Sequence, residues 1–192
     1  SPDGRYALVF NGEIYNFREL RAELEATGCA FVTRSDTEVL LHGFVKWGEA
    51  LVPRLDGMFA FAVWDTHERV LFAARDRMGI KPFFYSSVSG FAFASTLAPF
   101  FRLGKFPRRL DYEALRDYLA FQAPLAPHSF LADVRQLPPA SQLVWKSRNG
   151  QLLVRRYWEI PAPNEAPPPR ADLVARVDAA LADSVRRQLV AD

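Results

Sequence analysis

Met58-Phe59-Ala60-Phe61-Ala62-Val63-Trp64 is apolar at every position. A strand with one wet face alternates apolar and polar residues, so a run without alternation needs cover on both faces. After the polar turn 65–69, residues 70–74 read as its hairpin partner. Working outward, 83–86 and 91–95 form a second hairpin around 87–90. Residues 142–146 and 151–157 flank Arg148-Asn149-Gly150, a strong turn signal. Strands outnumber helices and come as hairpins. The pattern predicts an α+β fold in which antiparallel sheets stack layer on layer.

Upstream of the decisive run, Tyr6-Ala7-Leu8-Val9-Phe10 fits a buried strand, and Asn11-Gly12-Glu13 breaks it. Asn16 stands three residues before Glu19, the spacing of a capping box. A helix is expected from Phe17, with Leu20 and Leu24 on one face and Gly28 as its stop. Residues 29–33 read as another strand. Ser35 and Glu38 repeat the capping spacing and predict a helix carrying Val39, Leu40, Phe44 and Trp47 up to Gly48. Asp111 is placed to cap a helix from Tyr112 to about Phe121. Pro161, Pro163, Pro167, Pro168 and Pro169 then mark a stiff linker. Beyond it Leu173, Val177, Leu181 and Val185 recur every four residues. Such a stripe with nothing after it to cover it belongs to a following domain. The expected division is therefore 1–160, a linker 161–169, and a helix 170–192. The abrupt entry into structure and the lack of an initiator Met suggest a start inside a larger protein.

The chain has 192 residues, with 24 Lys and Arg against 22 Asp and Glu, a formal charge of +2. That balance excludes a nucleic-acid footprint or a polybasic membrane patch. No apolar run approaches the ~18 residues that cross a bilayer. No nucleic-acid or membrane partner is expected. Cys29 is the one cysteine, so no internal disulfide forms, and the absence of a signal layout favours a cytoplasmic setting. His42, His67 and His128 are scattered, which predicts no metal site.

Four places could carry chemistry. Asn11-Gly12 reads either as a tight turn or as an oxyanion hole, since glycine lets backbone approach a ligand and a carboxamide N–H can join it in donating. Asp36 either complements the helix dipole or pairs with a ligand ammonium. Residues 75–82, Arg-Asp-Arg-Met-Gly-Ile-Lys-Pro, read as a structured loop with surface salt bridges; their glycine spacing does not fit a phosphate cradle. Cys29 reads as a core thiol. No Ser–His–Asp set stands out.

Val9-Phe10-Asn11-Gly12-Glu13-Ile14-Tyr15-Asn16-Phe17 resembles the glutaminase domain of glutamine-hydrolysing asparagine synthetases. The resemblance continues through Ser35-Asp36-Thr37-Glu38-Val39-Leu40, Leu55-Asp56-Gly57-Met58-Phe59-Ala60-Phe61-Ala62, residues 75–82, Phe93-Ala94-Ser95, Leu137-Pro138-Pro139 and Tyr157-Trp158. The motifs run in family order over residues 5–160. The resemblance implies a class II amidotransferase on a four-layer αββα N-terminal-nucleophile fold of antiparallel sheets, incomplete in this chain. An N-terminal Cys thiol would attack the glutamine amide, with its own amino group as base. Asn11 and Gly12 would be the oxyanion donors, Glu13 would line the glutamine pocket, and Asp36 would bind the substrate α-ammonium.

The departures are equally informative. The nucleophilic Cys, and an Arg for the substrate carboxylate, are expected upstream of Ser1. Cys29 does not match the nucleophile position, and Ser1 falls at a mid-domain turn. Thr96 stands where the family often has Glu. Residues 183–192 resemble the helix leading into the synthetase domain, where ATP and Mg would act; this chain itself is expected to hold no cofactor. The partners implied are L-glutamine and the synthetase domain of the same parent, and whether the parent pairs as a homodimer stays open. Two other readings remain: an asparagine-synthetase-like amidotransferase with another acceptor, and a catalytically dead glutamine pocket used for binding or docking.

Overall fold

The computed structural model describes residues 1–104, 106, 108–162 and 169–189. In chain order its elements are β1 (Tyr6–Ile14), α1 (Phe17–Ala26), α2 (Asp36–Trp47), a 3-10 stretch (Gly48–Arg54), β2 (Gly57–Asp65), β3 (Val70–Arg75), β4 (Phe84–Ser86), β5 (Ala92–Ala94), α3 (Ala98–Arg102), α4 (Tyr112–Phe121), β6 (Arg135–Gln136), β7 (Ser141–Lys146), β8 (Gln151–Arg156) and α5 (Arg170–Gln188). They divide into two compact units, Ser1–Gly12 with Met58–Trp158, and Glu13–Gly57 with Glu159–Asp192.

In the first unit the doubly apolar run becomes β2, antiparallel to β3 with Phe61 opposite Ala74 and Ala62 opposite Ala73. The sheet order is β1-β2-β3-β7-β8, and a second sheet runs β5-β4-β6. Both faces of the β2–β3 hairpin are buried, as the missing alternation requires. On one face Ala60, Ala62, Leu71, Ala73 and Leu143 pack against Phe83, Tyr85 and Leu137. The alanines leave room for rings from the second sheet, where Phe83 and Phe93 stack with centroids 5.4 Å apart. On the other face Phe59, Phe61, Val63 and Phe72 are also buried. The far side of the second sheet carries Phe84, Ala92 and Ala94 against Phe100 of α3, Phe106, Leu131 and Val134. The unit is thus two stacked sheets with a helical layer.

The loop 75–82 is not the surface salt-bridge loop that its charges predict. Arg75 and Asp76 are buried and spend their hydrogen bonds on backbone. Asp76 accepts from the N–H groups of Phe59, Met78, Ile80 and Lys81 at 2.9–3.2 Å. Arg75 donates to the carbonyls of Lys81, Leu137 and Gly79 at 2.6–2.7 Å. Tyr157 donates its phenol O–H to the Arg75 carbonyl at 2.9 Å, and burial pushes that phenol's pKa up. These bonds satisfy buried polar groups that water cannot reach.

In the second unit α1 buries Phe17, Leu20 and Leu24, and α2 buries Val39 and Leu40. Ser35 caps α2 by accepting from Thr37 N at 3.2 Å, as expected. Two local readings are corrected. Asn16 does not cap α1 through its side chain; it donates to the Arg54 carbonyl and accepts from Asp56 N, both at 2.9 Å. Residues 29–33 are not a strand, because the N–H groups of Val32 and Thr33 bond the Glu38 carboxylate at 2.8 and 2.7 Å. Glu38 therefore serves that loop in place of a capping box. α5 bears the expected stripe, with Val177, Leu181 and Val185 exposed, and Arg187 pairs with Asp56 at 2.7 Å. Of the expected linker, residues 163–168 lie outside the described residues, as do 190–192 of the last helix.

Candidate functional site

The Asn11-Gly12 turn reading is overturned: β1 runs straight through both residues to Ile14. The reason is steric. A Cβ on Gly12 would collide with the Met58 carbonyl oxygen and lie 2.7 Å from Phe59 Cα, so only glycine lets β1 lie this close to the neighbouring strand. Asn11 precedes it and lines a cavity of about 220 Å³. Its Nδ2 donates to Ser95 Oγ at 3.3 Å. Ser95 sits just past β5, and β5 is held by antiparallel pairing to β4. Sequence reasoning placed Ser95 in a family-like motif but assigned it no role; the short Phe93-Ala94-Ser95 step from apolar strand to hydroxyl was the available signal.

In the second unit Asp36 opens α2 and is 3% exposed. Its Oδ2 accepts the backbone N–H of Ile14 at 3.0 Å. Its Oδ1 accepts from the hydroxyls of Thr37 at 3.2 Å and Ser35 at 3.4 Å. The carboxylate thereby ties the head of α2 to the end of β1, one residue after Glu13. Glu13 is half-buried. A Cβ on Gly57 would collide with the Glu13 carbonyl oxygen, so this unit repeats the close approach seen at Gly12.

Other candidates contribute little nucleophilic chemistry. Burial, with Glu38 and Glu25 adding to it, raises the Cys29 thiol pKa, which lowers its thiolate fraction. Ser1 Oγ accepts from Tyr6 N at 2.9 Å within the opening turn. His128 Nδ1 lies 3.2 Å from Asp111 Oδ2, while Asp111 caps α4 through Glu113 N and Ala114 N. Among the described residues no three His, Cys, Asp or Glu side chains cluster as metal ligands, and no helix is long and apolar enough to cross a membrane.

Two stacked antiparallel sheets with a helical layer on the second define an α+β fold. Solved structures agree: glutamine phosphoribosylpyrophosphate amidotransferase from B. subtilis aligns with a TM-score of 0.56 and 23% identity over 80% of this chain and 29% of that one. The chain belongs to the glutamine amidotransferase domain family, which matches residues 1–158. Asparagine synthetase [glutamine-hydrolyzing] 3 of Bacillus subtilis is 39% identical over 97% of this chain and 30% of its own length. A putative asparagine synthetase [glutamine-hydrolyzing] of Mycobacterium tuberculosis is 40% identical over 100% of this chain and 30% of its own length. The chain thus spans about 30% of the length of these curated relatives.

Proposed function

We propose that this chain is the glutamine-hydrolysing part of a glutamine-dependent asparagine synthetase. The observation that carries the reading is 39% identity, over 97% of the chain, to a protein of that name. A thiol supplied from outside these residues adds to the carboxamide carbon of glutamine, and negative charge develops on its oxygen. Asn11 Nδ2–H and the Gly12 N–H are assigned as donors to that oxygen. Donors already in place at a developing charge lower the barrier because nothing reorganises as the charge forms. Ammonia leaves, and water cleaves the thioester to give glutamate. Asp36 is assigned to the substrate α-ammonium and Glu13 to the pocket wall. The ATP- and Mg-dependent amidation of aspartate is assigned to the part of the parent that this chain does not span.

The test is a product assay on the purified parent with glutamine, aspartate, ATP and Mg. Glutamate and asparagine are expected in matching amounts. Glutamate without asparagine would move the reading to a relative with another acceptor. No glutamate would overturn the glutaminase assignment and favour a binding pocket.

A further inference from the structure

We infer that Ser95 is a positioning residue that sets the orientation of the Asn11 carboxamide; this rests on the glutaminase reading of the site. The two residues share one cavity, whose other walls are apolar, among them Phe10, Ala62, Phe83 and Phe93. Among the described residues, Asn11 and Ser95 are the polar side chains in that lining. Their contact, Nδ2 to Oγ at 3.3 Å, joins β1 to the end of β5 across 84 residues of sequence.

A carboxamide turns about a broad, nearly two-fold torsion, and its NH₂ and C=O ends have almost the same shape. Packing alone therefore does not choose which end faces a ligand. Ser95 Oγ, 3.3 Å from Nδ2, supplies a polar partner at one end of the carboxamide. With Ser95 Oγ accepting one Nδ2 hydrogen, the second remains for the oxyanion. The reversed carboxamide would place Oδ1, a partial negative charge, against the developing charge. Ser95 thus acts through Asn11, without touching the reacting atoms.

The experiment compares the full-length parent with its Ser95→Ala, Ser95→Thr, Asn11→Ala and Asn11→Ala/Ser95→Ala forms, reading glutamate release. Ser95→Ala is expected to lower kcat by about tenfold, less than the 10²–10³ for deleting an oxyanion donor, with KM for glutamine within about twofold. Ser95→Thr, which keeps the hydroxyl, is expected within about threefold of the parent. The double variant should be no slower than Asn11→Ala, because the two act as a unit. An unchanged kcat in Ser95→Ala, a Ser95→Thr as slow as Ser95→Ala, or additive losses in the double variant would each overturn the inference. Should Ser95→Ala melt early, Ser95→Cys, a poor acceptor of similar size, replaces it under the same criteria. A parent that releases no glutamate fails the glutaminase reading instead, so the two failures are distinguishable.

Discussion

Gly12 and Asp76 determine more backbone than any apolar residue near them. Gly12→Ala forces a Cβ onto the Met58 carbonyl oxygen, backbone that cannot step aside as a flexible side chain can. We expect a loss of about 2–3 kcal/mol, the upper part of the roughly 1–3 kcal/mol that overpacking a close-packed interior costs, read as a lower urea midpoint at constant m. Asp76→Ala strands N–H groups of Phe59, Met78, Ile80 and Lys81 that the carboxylate accepts. Each buried donor left unmatched costs about 1–3 kcal/mol; after partial relaxation the expected total is roughly 3–5 kcal/mol. A midpoint within error of the parent protein for either variant would contradict this account. At this scale the sequence was legible in part. Asn11, Gly12 and Asp36 stood out through the motifs that resemble the family, since their spacing alone fits a turn and a helix start equally well. The bonds from Asp36 to Ile14 and from Asn11 to Ser95 did not, because they join residues 22 and 84 positions apart.

The hairpin of β2 and β3 was readable because absence of alternation is a local property. Its electrostatic latch was not. Asp65 accepts from Arg5 at 2.8–3.2 Å and from the turn N–H groups of His67 and Glu68. The Arg5 hydrogen bond leads in lowering its pKa to about 2, against about 3.9 for a free aspartate. The native state therefore holds the charged form more tightly than the unfolded chain. This stabilisation is fully present above about pH 4 and fades as pH falls towards 2. Asp65→Asn should flatten the melting temperature against pH across that window, and an unchanged slope would sink the assignment. The α2 cap makes a smaller claim. Ser35→Ala removes the acceptor for Thr37 N and should cost about 1 kcal/mol, measurable as a shifted denaturation midpoint.

At the scale of the molecule, apolar surface remains uncovered in both units. Tyr112, Leu119 and Phe121 on α4 are 78%, 76% and 65% exposed. On α5, Leu173, Val177, Leu181 and Val185 are 43–61% exposed. A helix gains most of its stability by burying such a stripe. Under the proposed function, amides of α5 should exchange rapidly in the 192-residue chain and at least about tenfold more slowly in the parent. Equal rates in both would detach α5 from a following domain. The isolated chain should also release no ammonia from glutamine, since its single thiol, Cys29, is driven towards the neutral form; measured release would refute this.

What the amino-acid sequence determined by itself was the set of elements whose signals lie within a few residues: the doubly apolar hairpin, the Ser35 and Asp111 caps, and the turns between strands. It also marked the family, through motifs kept in order. Only the tertiary structure decided that Asn11-Gly12 continues a strand, that residues 29–33 give their N–H groups to Glu38, that the charged loop turns inward, and that Ser95 meets Asn11. Each of those outcomes depends on where a distant backbone or hydroxyl lies. The free energy of a buried polar group is set by the partner it finds in space, which local periodicity does not encode.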